Sequence, residues 1–370
     1  MPYRVERISE FEGLRAFLAW WVVACHFLIF SGLYRHPRLM AHVLDASEAV
    51  AVFMILSGFV ISRLLLCGIP YREFIVQRFF RLYPIFLLAF LVSAFLEHTF
   101  GLGGFYDYGV PAFVRYPGWD FASHALMLHG LVPLQIAPGI ATSYLPPAWS
   151  ISLEWQFYLL APWLVRFVYR PDLASSLVVA ALALLRVLSH VHLLGAYDMN
   201  AFLPLRFELF LLGIASSRLW DLWPHASSAF RRRLPWLVGL GILIFFAFTR
   251  SLTLPIWFLA LFTSLECRQA APRFLFRGLR AILNAKPAQW LGRVSYSTYL
   301  IHWPVLAALH TLFFHALPGL SEPARIALLA LTGPILIAAG SFLTYRWIEA
   351  PAIRCGKSLF PKNPHPHAAL

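Results

Sequence analysis

Apolar runs about as long as a bilayer is thick recur along nearly the whole chain, and no other feature constrains the fold as strongly. A bilayer core takes about 20 apolar residues per helix. Such runs occupy 11–32, 46–66, 82–100, 152–169, 173–192, 203–220, 234–249, 252–267, 294–315 and 325–347. The pair 234–249 and 252–267 is short and reads as a tight hairpin. With 60% of 370 residues hydrophobic and 13% charged, there is too little polar surface for a soluble domain of this size. The expected fold is all-α, a polytopic membrane helix bundle of about ten transmembrane helices.

The net charge of +13 is topological information rather than a nucleic-acid signal, because the basic residues lie between the apolar runs. With the N-terminus inside, the inside segments hold 22 Lys and Arg and the outside segments 6, leaving Arg15 and Arg186 within spans. That asymmetry places both termini in the cytoplasm. The first run is not a cleaved signal peptide: it contains Arg15, lacks a small-residue cleavage site and is followed by many more spans. Cys25, Cys67, Cys267 and Cys355 show no CxxC spacing, so neither a disulfide frame nor a metal site is expected. Residues 101–150 are proline-broken and read as an extracytoplasmic loop lying on the membrane. The bundle is expected to fill 1–356, and the end 357–370, with its Pro/His-rich "PKNPHPHAAL", to form a disordered cytoplasmic tail. No internal repeat is visible, which weakens a transporter built on inverted repeats.

Ionisable residues inside the apolar runs carry the functional argument. Arg15 and His26 are eleven residues apart, about 20° beyond three full turns, so they share one helix face at a rise of about 16.5 Å. Charged groups at such depth are costly and face an interior cavity, whereas a lone Arg15 would be read as snorkelling to lipid phosphates. Arg78 and Arg81, in "QRFFRLYP", are neighbours on one helix face. Two guanidiniums so placed suit a phosphate, and equally suit a positive-inside anchor. Glu154, in "PAWSISLEWQFYLLAP", is expected at the depth of His26, where a Glu–His contact would orient the imidazole and raise its basicity. "LGRVSYSTYLIHWPV" brings Ser295, Tyr296, Ser297, Tyr299 and His302 into a span, as interhelical glue or as part of a site. Ser57-Gly58 permits close approach of a helix or of a thin ligand. In the outer loop, Phe105, Tyr106, Tyr108, Phe113, Tyr116, Trp119 and Phe121 surround Asp107 and Asp120. Such a set suits sugar faces and hydroxyls, or an interfacial aromatic belt.

"EGLRAFLAWWVVACHF", "FMILSGFVIS", "QRFFRLYP", "WSISLEWQFYLL", "LGRVSYSTYLIHWPV" and "SFLTYRWIEAPAIR" occur in this order. Together they resemble the acyltransferase 3 family of integral-membrane O-acyltransferases, over about 9–354. Members of that family acylate bacterial O-antigens, exopolysaccharides, nodulation factors and macrolides, mostly with acetyl taken from acyl-CoA. Its first-helix Arg-x10-His motif maps onto Arg15 and His26, and its Arg-x-x-Arg stretch onto Arg78 and Arg81. Two departures stand out. Glu12 replaces the usual Asp, and Trp155 replaces the second acid of the Glu-Glu-Gln-Phe-Tyr motif, leaving Glu154 to do its carboxylate work.

The resemblance implies an acyl-CoA-dependent O-acyltransferase of the bacterial cytoplasmic (inner) membrane, using acetyl-CoA as donor and no metal. Its acceptor would be a glycan, a lipid-linked glycan or a glycoside. His26 and Glu154 are the expected catalytic residues. Arg15, Arg78, Arg81 and Ser57 are expected to bind the donor, and Trp149, Tyr299 and His302 the substrate. The competing reading is a transporter or flippase of a glycan or anionic substrate, with Arg15 and His26 lining its path. A non-catalytic membrane scaffold comes third.

Overall fold

The computed structural model describes residues 8–33, 45–100, 117–268, 274–317 and 319–360. Among these residues there is no β-strand. The helices are α1 (Ser9–Phe30), α2 (Ala46–Leu65), α3 (Tyr71–Phe100), α4 (Pro117–Ala125), α5 (Trp149–Tyr169), α6 (Leu173–His190), α7 (Phe207–Leu222), α8 (Ser228–Thr249), α9 (Thr253–Glu266), α10 (Phe274–Leu283), α11 (Lys286–Arg293), α12 (Ser295–His310), α13 (Glu322–Thr344) and α14 (Ala350–Ser358). A π-helical turn, Tyr345–Glu349, joins α13 and α14 into one rod.

Every expected apolar run falls on one of these helices, because backbone polar groups in hydrocarbon must be satisfied within the segment. By length and composition, six are able to cross a membrane: α1, α2, α3, α6, α8 and the rod Glu322–Ser358. The shortfall from ten has local causes. α7 and α12 have 16 residues each and α9 has 14. α5 has 21 residues, but its apolar character is diluted by Ser150, Ser152, Glu154 and Gln156. α3 starts at Tyr71, eleven residues before the expected run, so Arg78 and Arg81 lie in the body of a 30-residue helix.

Helix pairs in a bundle of this kind approach through small residues. A Cβ on Gly58 of α2 would run into the carbonyl oxygen of Phe210 on α7, and a Cβ on Gly213 of α7 into that of Ile55 on α2. The two glycines make one reciprocal seam. Gly58 is thus occupied by a helix and not by a ligand. A similar seam seats α1: a Cβ on Gly13 would strike the Leu283 carbonyl of α10, and one on Gly292 of α11 the Glu12 carbonyl. Gly356 of α14 closes on the Phe80 side chain of α3. These contacts set α2 on α7, α1 on α10 and α11, and α14 on α3, and α5 and α12 pack with them around a shared interior.

The α8–α9 hairpin turns at Arg250, which takes a left-handed φ of 59°. Glu48 of α2 pins the turn by accepting from Ser251 Oγ (2.9 Å), Thr253 N (2.8 Å) and Thr253 Oγ1 (2.5 Å). No residue of α8 is buried, so this helix forms the rim of the bundle.

Residues 117–148 fold into α4 and three short 3₁₀ turns packed on the ends of α3 and α5. Of the aromatic cluster expected to meet sugar, Phe105, Tyr106, Tyr108, Phe113 and Tyr116, with Asp107, lie outside the described residues. Trp119 is 78% exposed. Asp120 is fully buried: it accepts from Ser143 Oγ at 2.7 Å and lies 3.1 Å from His124 Nδ1. That carboxylate orders the segment's interior and does not face an incoming hydroxyl. At the other end, α14 runs helically to Ser358, and 361–370 lie outside the described residues.

The reciprocal seam generates a prediction. Gly213→Ala puts a methyl against backbone that cannot yield, costing about 1–3 kcal/mol by overpacking. Its melting temperature in detergent is expected to fall, while Gly239→Ala, whose Cβ meets open space on α8, leaves it unchanged.

Candidate active site

A cavity of about 300 Å³ lies between α1, α2, α3, α5, α12 and α14. It gathers Arg15, Ser57, Arg78, Arg81, Glu154 and Tyr299, six residues from five separate stretches of the sequence. Such a volume is at the lower end for a small-molecule pocket. Trp149, by contrast, is buried at the start of α5 and is not part of the lining.

The two carboxylates of this interior hold different partners. Glu154 accepts from Ser57 Oγ at 2.9 Å and from the Tyr158 hydroxyl, one turn further along α5. The second is Glu349, 1% exposed, at the end of the π turn. It forms an ion pair with Arg81 and accepts from Ser297 Oγ at 2.5 Å. The Arg81 guanidinium also lies over the Tyr296 ring, 5.3 Å from its centroid. Arg78 and Arg81, adjacent on one helix face, therefore have separate environments: Arg81 is tied to α12 and the π turn, while Arg78 shares the cavity wall with Glu154 and Tyr158. The Arg78 Nε is buried with no hydrogen-bond partner. Arg15 is 3.4 Å from Glu12 on its own helix.

The expected Glu154–His26 contact does not form. α1 turns His26 toward α12, where its Nδ1 lies 2.8 Å from His302 Nε2. The His302 Nδ1 lies 3.1 Å from the Thr298 carbonyl oxygen. A carbonyl only accepts, so His302 carries its proton on Nδ1 and presents a lone pair at Nε2. His26 must then donate from Nδ1, and its own Nε2 is left as the acceptor. The chain Thr298–His302–His26 thus sets a tautomer with a basic nitrogen at its end. Both rings are buried, with His26 8% and His302 0% exposed, and the Trp303 ring meets His26 edge-on at 5.2 Å. His302 accordingly sits behind His26 rather than on the cavity wall.

Tyr299 links the two parts. It lines the cavity, its ring centroid is 6.1 Å from that of His302, and its hydroxyl bonds Ser150 Oγ (2.8 Å) and the Pro147 carbonyl (2.9 Å). His26 itself is not a lining residue; it adjoins the cavity through the Tyr299–His302 corner. Glu349 was missed by sequence reasoning, although its signal was present: an acid followed by Ala-Pro at the end of an apolar run, in "TYRWIEAP".

A family model described as an acyltransferase domain matches residues 8–345. The chain is 25% identical over 392 aligned positions to the acyltransferase MdmB of Streptomyces mycarofaciens, covering 96% of this chain and 94% of that one. It is 23% identical to the peptidoglycan O-acetyltransferase OatA of Listeria monocytogenes, again over 96% of this chain but over 57% of the relative. To nodulation protein 10 of Rhizobium leguminosarum bv. viciae it is 25% identical, over 96% of each chain. No solved structure matches it.

The ion pair at the π turn is expected to hold the cavity together. Removing one partner of a buried pair costs about 3–5 kcal/mol, because the other is left uncompensated. Glu349→Gln should therefore lower the melting temperature in detergent markedly. The double variant Arg81→Met/Glu349→Leu should recover most of that loss, giving a non-additive double-mutant cycle.

Proposed function

Because the chain belongs to the acyltransferase 3 family, we propose that it is a multi-pass O-acyltransferase of the bacterial cytoplasmic membrane. It takes an acyl group, acetyl in the simplest case, from cytoplasmic acyl-CoA. It passes that group to a hydroxyl of a glycan, a lipid-linked glycan or a glycoside. The observation that carries the reading is the tautomer of His26: a buried imidazole whose Nδ1 is committed to His302 and whose Nε2 is an acceptor.

In this reading His26 is the general base. Its Nε2 takes the acceptor's hydroxyl proton as the oxygen attacks the thioester carbonyl carbon. The C–O bond forms, the tetrahedral intermediate collapses, the C–S bond breaks, and the proton on His26 passes to the departing thiolate. During the interval His26 is cationic and donates from Nδ1 to His302, so His302 acts as a positioning residue that keeps the ring in register. Glu154 holds Ser57 and Tyr158 at the cavity wall and balances the cations there. Arg78, with an N–H still to be satisfied, is the best-placed residue for a polar group of the donor arm. Arg15 stands about 16.5 Å below His26 along α1, comparable to the length of a pantetheine arm. The relatives support a hydroxyl-bearing acceptor, since one is described as a peptidoglycan O-acetyltransferase.

The test is release of free CoA from acetyl-CoA by the purified protein in liposomes containing lipid-linked glycans extracted from the host membrane. His26→Ala is expected to lower turnover by about 10²–10⁴-fold, with His26→Gln nearly as impaired because it keeps polarity but not basicity. His302→Ala should lower kcat by about 10²-fold through misplacement of the base, leaving acetyl-CoA affinity unchanged. Wild-type turnover in purified His26→Ala would overturn the assignment, and movement of unmodified glycan without CoA release would favour a transporter.

A further inference from the structure

Below the cavity a second hollow, about 490 Å³, is lined by Glu12, Arg15, Arg81, Arg293, Tyr345 and Ile353. It shares Arg15, Arg81 and Ile353 with the cavity above, whose lining also includes Lys357. The two adjoin as one passage, narrower above and wider at its mouth. Arg15, Arg81 and Arg293 line the mouth, and Lys357 stands on the wall of the adjoining upper cavity. Arg15 faces Glu12 and Arg81 is paired with Glu349, so two cations remain in excess of carboxylates. That excess lies on Arg293, the last residue of α11, and Lys357, near the end of α14; both are exposed.

This arrangement separates the tasks of the arginines. The upper cavity, about 300 Å³, is the smaller of the two, and the hollow below it, about 490 Å³, offers the bulkier end of a ligand more room. Arg81 is already tied to Glu349, and Arg78 lies inside beside Glu154 and Tyr158. A donor whose thioester reaches His26 leaves its nucleotide end at the mouth. We propose that the mouth, lined by Arg15, Arg293 and Tyr345 and adjoined by Lys357 of the upper cavity, is the site for a 3′-phosphorylated adenosine diphosphate moiety. In this site Arg293 and Lys357 read the 3′-phosphate. An Arg fork and a Lys point charge together suit a phosphomonoester dianion, and a tyrosine ring suits a purine face. The inference rests on the acyl-CoA reading above and assigns the phosphate readout to residues outside the Arg-x-x-Arg pair.

The test is calorimetry on the full-length protein in phosphatidylcholine nanodiscs, with CoA, 3′-dephospho-CoA and adenosine 3′,5′-bisphosphate as ligands. Wild type is expected to bind CoA about tenfold or more tightly than 3′-dephospho-CoA, the worth of one charge-assisted contact. Arg293→Gln/Lys357→Gln should bring that ratio close to one, while Arg78→Gln should weaken both ligands and keep the ratio. Because the readout is a ratio on one preparation, partial loss of folded protein does not move it. A wild type that binds the two cofactors equally, or a double variant that keeps the preference, overturns the inference while leaving the donor reading intact. Binding of neither cofactor by wild type overturns the donor reading and the inference with it. Repeating the titration with phosphatidylglycerol in the nanodisc separates a nucleotide site from a lipid-headgroup site: the former keeps its preference for CoA, and loss of the preference there assigns the mouth to lipid.

Discussion

An ionisable group inside a hydrocarbon layer must be paired or hydrogen-bonded, and the interior of this bundle is arranged around that requirement. Arg81 meets Glu349, Glu154 meets Ser57 and Tyr158, and His26 meets His302. All of them except Glu154–Tyr158, which lies within α5, cross between helices distant in sequence, and those contacts also specify which helices are neighbours. The Arg81–Glu349 pair ties α3 to the π turn, and Ser297 brings α12 into the same knot. A π turn adds one residue to a helical repeat and is often found at functional sites. Here it carries Glu349, the carboxylate that completes the knot.

The same requirement separates two environments that lie side by side. One is a charged passage lined by arginines, Glu12 and Glu154. The other is a dry corner of imidazoles and indole, in which a backbone carbonyl sets the tautomer of His302 and His302 sets that of His26. A carboxylate beside His26 would also orient the ring, but it would place a further charge at depth. Using a second neutral imidazole achieves orientation without that desolvation cost. Tyr299 stands where the two environments meet, and its hydroxyl is anchored to α5 through Ser150 and to the turn before α5 through the Pro147 carbonyl. Close helix contact at Gly58 and Gly213 keeps α2 against α7, holding Ser57 toward Glu154.

Helix identity and position were legible in the sequence, because apolar periodicity and length leave the backbone no other solution in lipid. Arg15 and His26 on one stripe of α1 were legible for the same reason: helical geometry is local. So was the pairing of the α8–α9 hairpin. The number of helices long enough to span was not, since α5 places Ser152, Glu154 and Gln156 inward and so reads as less apolar than its surroundings require. The partner of Glu154 was also beyond reach, because similar depth along two helices says nothing about which faces oppose one another. Asp120 illustrates the converse error: an acid among exposed aromatics reads as a surface group, yet the segment folds over it and sets its Oδ1 against Ser143 and His124.

By itself, then, the amino-acid order determined an all-helical membrane chain, the residues of each apolar run, and a short set of polar groups that such a chain cannot leave unpaired. Only the tertiary structure decided how those groups are shared out between helices: His26 to His302, Arg81 to Glu349, and Glu154 to Ser57. The reason is physical. A helix fixes the positions of its own side chains to within a turn, but their partners depend on the rotation and separation of neighbouring helices, and these are set by non-local contacts such as the Gly58–Gly213 seam.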